Sequence, residues 1–179
     1  QTSLLLNCPP ENIAYTSSST DGYAKAITSI NFKQGDVILT TEIDYVSNQL
    51  SFLSLRNRFG IQIVRAGNLP NGDLDLQSFE YLVQTLAPKL VALTFIPSNS
   101  GNVQPAVEVG EICKKYDILY LLDACQAVGQ MVVDVKKIGC DFLTTTGRKF
   151  IRGPRGSGIL YVSDRVLGAQ MAPLILLEL

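Results

Sequence analysis

The sequence predicts a single α/β domain built around a mainly parallel sheet, on three observations. Short apolar segments alternate along the chain with amphipathic ones, the pattern of strands joined by helices. Two apolar segments, LVALTF and ILYLL, are continuous, as in strands covered on both faces. Apolar residues make up 46% of the 179 residues and charged residues 17%, which is enough apolar material for a sizeable core. The length matches one domain.

Seven segments have the length and composition of short strands. In chain order they are residues 12–17, 36–40, 61–65, 90–95, 118–122, 142–145 and 158–162. Turn-forming residues separate several of them, as in NLPNGDLD after the third strand. Ligands of parallel α/β sheets bind outside the carboxyl ends of the strands, so the residues that follow each strand are the candidates for a site.

Helices are predicted between these strands, over residues 19–30 and 45–59 and from two further start points, Asp75 and Pro105. Apolar residues recur in them at three- and four-residue intervals, which places those residues on one face. Gly60 is expected to end the second helix, Asp75 to cap the third and Pro105 to begin the fourth.

The composition excludes several kinds of protein. The chain has no His, so it supplies no His-containing triad, His metal site or imidazole acid–base pair. The net charge is −1, which argues against a chain-wide footprint for nucleic acid or anionic lipid. Cys8, Cys113, Cys125 and Cys140 form no CxxC pair, so we expect buried free thiols and no metal site. Neither a signal peptide nor a membrane-length apolar run is visible, and the expected location is the cytoplasm.

Hydroxyl-bearing residues follow two of the predicted strands. The stretch TSSSTDG after the first strand brings Ser19 and Thr20 into the start of a helix. Hydroxyls and free N–H groups there form an anion site, and the alternative is a plain helix cap followed by a polar loop. The stretch IPSNSG after the fourth strand contains Ser98, which either contacts a ligand or belongs to a turn ahead of the next helix.

Charged residues follow the fifth and sixth strands. Asp123 ends the apolar ILYLL strand, where a carboxylate is costly unless paired. It either pairs with a protonated ring nitrogen of a bound heteroaromatic or caps the residues that follow. The stretch TGRKFIRGPRGSG carries Thr146, Arg148 and Lys149 among four glycines. One interpretation of this stretch is a site for Schiff-base chemistry on Lys149. The alternatives are a solvated basic loop and a nucleic-acid-binding patch, and the net charge does not favour the latter.

The order of these pieces is more specific than any one of them. A hydroxyl-rich anion cup, then Asp-x-x-Gln after a buried strand, then a glycine-flanked lysine is an arrangement suited to pyridoxal phosphate. Its phosphate needs N–H and hydroxyl donors, its ring nitrogen needs a carboxylate and its aldehyde needs a lysine. A Rossmann-like nucleotide binder is the alternative, but neither GxGxxG nor GxxxxGK[ST] is present.

The segment DACQAVGQMVVDVKKIGCDFLTTTGRKFIRGPRGSGILYV resembles the aminotransferase class V family, and the resemblance runs from about Cys8 to about Val162. That family includes cysteine desulfurases, selenocysteine lyases, C–S lyases and isopenicillin N epimerase-like proteins. The resemblance implies a three-layer α/β/α sandwich on a seven-stranded, mostly parallel sheet with one antiparallel strand, the large domain of pyridoxal-phosphate fold type I.

The resemblance also implies roles at the cofactor ring. Lys149 would form the internal aldimine and then act as the base, and Asp123 would pair with the pyridinium nitrogen. Gln126 would hydrogen-bond the 3-hydroxyl group, and Tyr45 would stack on the ring where desulfurases have His. Ser98 takes the position of an Asn in the HVNN stretch of desulfurases.

Four residues would hold the cofactor phosphate by the same resemblance. They are Ser19 and Thr20 in TSSSTDG, and Thr146 and Arg148 on the lysine side. Desulfurases have His at the position of Arg148, so no imidazole remains in the site for proton transfer. TGRKF and IPSNSG look more like the C–S lyase and epimerase-like branch.

The implied function is that of a pyridoxal-phosphate enzyme acting on a small amino acid, by transamination, epimerisation or C–S cleavage, of which we favour the last. The alternative is a degenerate, non-catalytic ligand-binding domain. Members of the family are about twice as long and homodimeric, and the apolar LILLEL closes this chain abruptly. We therefore expect residues 1–179 to be a fragment covering the large domain, without the N-terminal segment and the C-terminal small domain. None of the four Cys is then a nucleophile.

Overall fold

A seven-stranded sheet forms the centre of the molecule. The computed structural model of the protein describes residues 1–169, and the LILLEL stretch lies outside the described residues. The strands are β1 (Ile13–Thr16), β2 (Val37–Thr41), β3 (Gln62–Ala66), β4 (Leu90–Thr94), β5 (Leu119–Asp123), β6 (Phe142–Thr146) and β7 (Gly158–Val162). Each end lies within one residue of its predicted position, so the seven strand predictions are confirmed.

The strand order is β1-β7-β6-β5-β4-β2-β3. β7 is antiparallel to both of its neighbours, with Gly158 opposite Thr16 on β1 and opposite Thr146 on β6. The pairs β2–β3, β2–β4, β4–β5 and β5–β6 are parallel. The expectation of a mostly parallel sheet with one antiparallel strand is therefore confirmed.

Helices lie before, between and after the strands, and Gly60, Asp75 and Pro105 stand at helix ends as the sequence predicts, whereas the helix predicted over residues 19–30 ends at Thr28. They are α1 (Thr2–Leu6), α2 (Ser19–Thr28), α3 (Val46–Phe59), α4 (Leu76–Leu86), α5 (Ala106–Lys115), α6 (Val135–Ile138) and α7 (Asp164–Gly168). The Asp75 carboxylate accepts two N–H groups of the first turn of α4, and Gly60 ends α3 at φ 68°. The short helices α1, α6 and α7 were not predicted, because four or five residues carry no detectable helical period.

The helices cover both faces of the sheet. Helices α4, α5 and α6 pack on one face through Phe79, Val109 and Ile138. Helices α2 and α3 pack on the other through Tyr23 and Phe52. Because both faces are covered, all residues of β4, β5 and β6 are buried, and the architecture is the predicted α/β/α sandwich. Within residues 1–169, no helix is long and apolar enough to cross a membrane.

Candidate active site

A pocket lies at the carboxyl ends of β4, β5 and β6, beside the first turns of α2 and α3. It contains all nine of the residues that the sequence predicts for the site: Ser19, Thr20, Tyr45, Ser98, Asp123, Gln126, Thr146, Arg148 and Lys149. Six further residues that were not predicted complete its lining: Ser18, Ser47, Asn48, Thr94, Ile96 and Cys125. The fold therefore brings segments far apart in sequence to one place.

The first turn of α2 forms one end of the pocket. Ser18 is the N-cap, and its hydroxyl accepts the Asp21 N–H at 3.1 Å. The N–H groups of Ser19 and Thr20 have no intrahelical acceptor, because they belong to the first turn of the helix. The buried Ser19 hydroxyl donates to the Thr144 hydroxyl on β6 at 3.1 Å, so the Ser19 hydroxyl is already hydrogen-bonded while its N–H group has no intrahelical acceptor. The positive end of the helix dipole adds to this attraction.

Two predicted residues flank this anion end from the side of β6. The Thr146 hydroxyl donates to the Ser157 carbonyl at 3.2 Å, which fixes its position at the end of the strand. Arg148 is exposed in the turn that follows, and its guanidinium suits a phosphate group.

Asp123 forms the floor of the pocket and is 4% exposed. Its Oδ1 accepts the Cys125 N–H at 3.0 Å, and its Oδ2 accepts the Asn48 amide at 3.1 Å. Burial raises the pKa of Asp123, while the two hydrogen bonds oppose that shift. Within residues 1–169, no Lys or Arg forms an ion pair with this carboxylate. A buried carboxylate without a cation is a favourable partner for a protonated ring nitrogen.

Lys149 and Tyr45 face each other across the pocket. The Lys149 Nζ lies 5.8 Å from the centroid of the Tyr45 ring, and the Lys149 side chain is half-buried. Tyr45 is the N-cap residue of α3, lines the pocket and is 41% exposed, so its ring is accessible to an aromatic ligand. Ser98, which is exposed, and Gln126, which is half-buried, lie on the pocket wall.

Cys125, which the sequence did not predict as a site residue, also lines the pocket. Its thiol is buried, and burial raises its pKa, as it does for Cys113 and Cys140. Cys8 is half-buried, and all four thiols are free. The expectation of buried free thiols is therefore confirmed for Cys113, Cys125 and Cys140, whereas Cys8 is free but only half-buried. A thiol with a raised pKa is a poor nucleophile.

The residues present fit pyridoxal phosphate. That molecule combines a phosphate, a ring nitrogen that is basic enough to be protonated, and an aldehyde. Among residues 1–169, the pocket supplies a helix N-terminus, a buried carboxylate that pairs with no Lys or Arg, and a lysine amine beside an accessible aromatic ring. The fold and the pocket together define an α/β domain built to hold an anionic heteroaromatic group next to an amine.

Comparison with known proteins gives the family. The profile described as "Aminotransferase class-V" matches residues 1–176, and the chain belongs to that family. A probable cysteine desulfurase from Borreliella burgdorferi is 35% identical over 160 residues, which cover 87% of this chain and 37% of that protein. The chain thus spans less than half of the length of this curated relative.

Solved structures with the same fold carry related descriptions. A cysteine desulfurase from Thermococcus onnurineus NA1, in its apo form, superposes with a TM-score of 0.88 and 29% identity, over 93% of this chain and 42% of that chain. The cystine C–S lyase C-DES, in complex with its product cysteine persulfide, superposes with a TM-score of 0.87 and 25% identity, over 96% of this chain and 46% of that one. A mutant of C-DES with glycine covalently linked to its PLP cofactor gives a TM-score of 0.85 at 25% identity, over 93% and 45% of the two chains.

Proposed function

We propose that residues 1–179 are the pyridoxal-phosphate-binding large domain of an enzyme that cleaves the C–S bond of a small amino acid, as a cysteine desulfurase or C–S lyase. The observation that carries this proposal is the buried Asp123 carboxylate, which pairs with no Lys or Arg among residues 1–169 and shares a pocket with the Lys149 amine. The presence of both groups favours cofactor binding over a purely structural domain. The descriptions of the relatives favour sulfur-containing substrates over transamination or epimerisation.

The residues of the pocket have separate roles in such a reaction. Pyridoxal phosphate, when bound, supplies an electron sink for negative charge at the substrate Cα. The Ser19 and Thr20 N–H groups, Thr146 and the Arg148 guanidinium would hold its phosphate. The Asp123 carboxylate would pair with the ring nitrogen and so keep a proton on that atom.

Lys149 and Tyr45 act at the reacting end. Lys149 would hold the aldehyde carbon of the cofactor, and its amine would move the proton at the substrate Cα. Tyr45 would stack on the ring and shield that side of the pocket from water. Gln126 would hold the 3-hydroxyl group, and Ser98 would contribute to the cofactor pocket.

The rest of the enzyme is also a proposal. We propose that a small domain outside this chain supplies the arginine that binds the substrate carboxylate, and that the active enzyme is a homodimer. Support comes from the length of the relatives, of which this chain covers 37–46% in the proteins compared above. A cytoplasmic location agrees with four free thiols, because reducing compartments keep thiols unpaired.

Borohydride reduction tests the role of Lys149. The protein is mixed with pyridoxal phosphate, reduced, digested and examined by mass spectrometry. We expect one adduct on the peptide that contains Lys149, together with a visible absorption band before reduction. Lys149→Ala should lose both, whereas Lys137→Ala, which removes an exposed lysine outside the pocket, should keep both.

Sulfur release tests the reaction. The longer protein that contains this chain is incubated with cysteine, cystine and alanine, and sulfide or persulfide is measured. Release from cysteine or cystine that requires Lys149 supports C–S cleavage. A modified Lys149 together with racemisation of alanine and no sulfur release would contradict it, and a chain that binds the cofactor but turns over no amino acid would favour the non-catalytic alternative.

A further inference from the structure

We infer that Asn48 is a positioning residue for the cofactor ring nitrogen, because its amide joins Asp123 to a second carboxylate, Asp44, and holds Asp123 against the ring. The inference deepens the proposed function and rests on it. Asn48 lies in the first turn of α3 and is 2% exposed, although it is polar.

The Asn48 amide nitrogen bridges the two carboxylates. Its Nδ2 lies 3.1 Å from Asp123 Oδ2 and 3.0 Å from Asp44 Oδ1. An amide nitrogen carries two hydrogens, so each hydrogen is committed to one carboxylate. Asn48 is thus the direct link between the pocket floor and the segment that follows β2.

Hydrogen bonds from several groups hold the Asp44 carboxylate in place. Its carboxylate accepts the Thr40 hydroxyl at 3.0 Å and the Thr94 hydroxyl at 2.5 Å, which ties it to the ends of β2 and β4. It also accepts the Gln49 amide at 3.1 Å and the Tyr45 N–H at 2.7 Å. Because β2 and β4 are buried strands, the sheet itself fixes the position of the Asp44 carboxylate.

The same link relates two cofactor contacts to one another. Asp44 binds the backbone of Tyr45, whose ring faces the pocket, and binds Asn48, which holds Asp123. The stacking surface and the ring-nitrogen partner therefore share one anchor. The Cys125 N–H fixes the second oxygen of Asp123, so the carboxylate cannot rotate without breaking a hydrogen bond. Preorganisation of this kind strengthens a charge pair, because no binding energy is spent on orienting the carboxylate.

A pair of cofactors separates this role from a purely structural one. Pyridoxal phosphate has a ring nitrogen, and its 1-deaza analogue has a C–H group in the same place. The wild-type chain should bind pyridoxal phosphate more tightly than the analogue, and the ratio of the two dissociation constants measures the contact with Asp123. In Asn48→Leu, which has similar volume and no donor, we expect this ratio to fall by roughly 10-fold, the usual effect of a lost hydrogen bond to a charged group.

Controls keep the result interpretable. Gln49→Leu removes another amide that donates to Asp44 but does not touch Asp123, and it should keep the wild-type ratio. If Asn48→Leu does not fold, Asn48→Ser retains a single donor and should lower the ratio less. An Asn48 variant that weakens both cofactors equally would overturn the inference and leave only a structural role. Failure of the proposed function is distinct, because then the wild type would bind neither compound at Lys149.

Discussion

The start of β7 lies so close to α2 that a single methyl group should disturb the anion end of the pocket. A Cβ atom added at Gly158 would lie 2.5 Å from the Ser18 carbonyl oxygen and 2.5 Å from the Thr16 hydroxyl. The Ser18 carbonyl is not free to move, because it accepts the Thr16 hydroxyl at 2.8 Å and the Gly22 N–H at 3.0 Å. Gly158→Ala therefore pushes the first turn of α2 out of position.

The size of the effect follows from these distances. Ordinary contacts between such atoms begin near 3.4 Å, so the variant must open a gap of about 1 Å against backbone on one side and a strand side chain on the other. Overpacking of this kind costs about 1–3 kcal/mol, and we expect the upper end because the Ser18 backbone cannot change rotamer. At about 2–4 °C for each kcal/mol in a domain of this size, the melting temperature should fall by roughly 6–12 °C.

Cofactor affinity should fall as well. If the Ser19 and Thr20 N–H groups move by a few tenths of an ångström or more, one charge-assisted hydrogen bond to phosphate is lost, which is worth about 10-fold or more in the dissociation constant. Thermal unfolding followed by circular dichroism and an absorbance titration with pyridoxal phosphate measure the two effects. Gly67→Ala is the control, because nothing lies within 4 Å of a Cβ added there. A Gly158→Ala protein that melts and binds like the wild type would refute the close approach of β7 to α2.

Three further predictions concern the rest of the fold. Gly110→Ala should lower the free energy of unfolding by about 3 kcal/mol or more, measured in urea, because its Cβ would collide with the Ile138 carbonyl of α6, while cofactor affinity of the folded fraction should not change. Burial raises the pKa of Asp123, so the wild-type chain without cofactor loses stability as the pH rises from about 4 through the native pKa. In Asp123→Asn that loss is absent, and unfolding in urea at about pH 4 and pH 7 should show the stability of the variant relative to wild type increasing with pH. An aqueous disulfide reagent should modify one thiol in the native chain and four after denaturation, and Cys8→Ser should remove the native reaction.

The strands and the main helices were predictable from local patterns, and the nine lining residues were predicted from the residues that follow strands together with the family resemblance, which alone indicated Tyr45 and a role for Gln126. A strand and its polar terminal residue are adjacent in the chain, so Asp123 and Lys149 could be placed at strand ends without a structure. The cap of α4 at Asp75 and the end of α3 at Gly60 were predictable for the same reason. The hydrogen bond from the Ser19 hydroxyl to Thr144 could not be predicted, since Thr144 is 125 positions away.

The link through Asn48 could not be predicted, because it depends on strand order rather than on any segment. Periodicity shows that strands exist but not which ones are neighbours. In this sheet β2 lies beside β4 although β3 follows β2 in the chain, and β4 lies beside β5, so the ends of β2, β4 and β5 meet. That order places Asp44 and Asp123 within reach of a single amide from α3, and it places Thr94 within reach of Asp44. A polar residue in the first turn of a helix looks solvent-exposed when read alone, and its burial follows from the register of the sheet beneath it. The buried polar network therefore depends on the order of the strands in the sheet, whereas the polar residues at the strand ends can be recognised in the sequence.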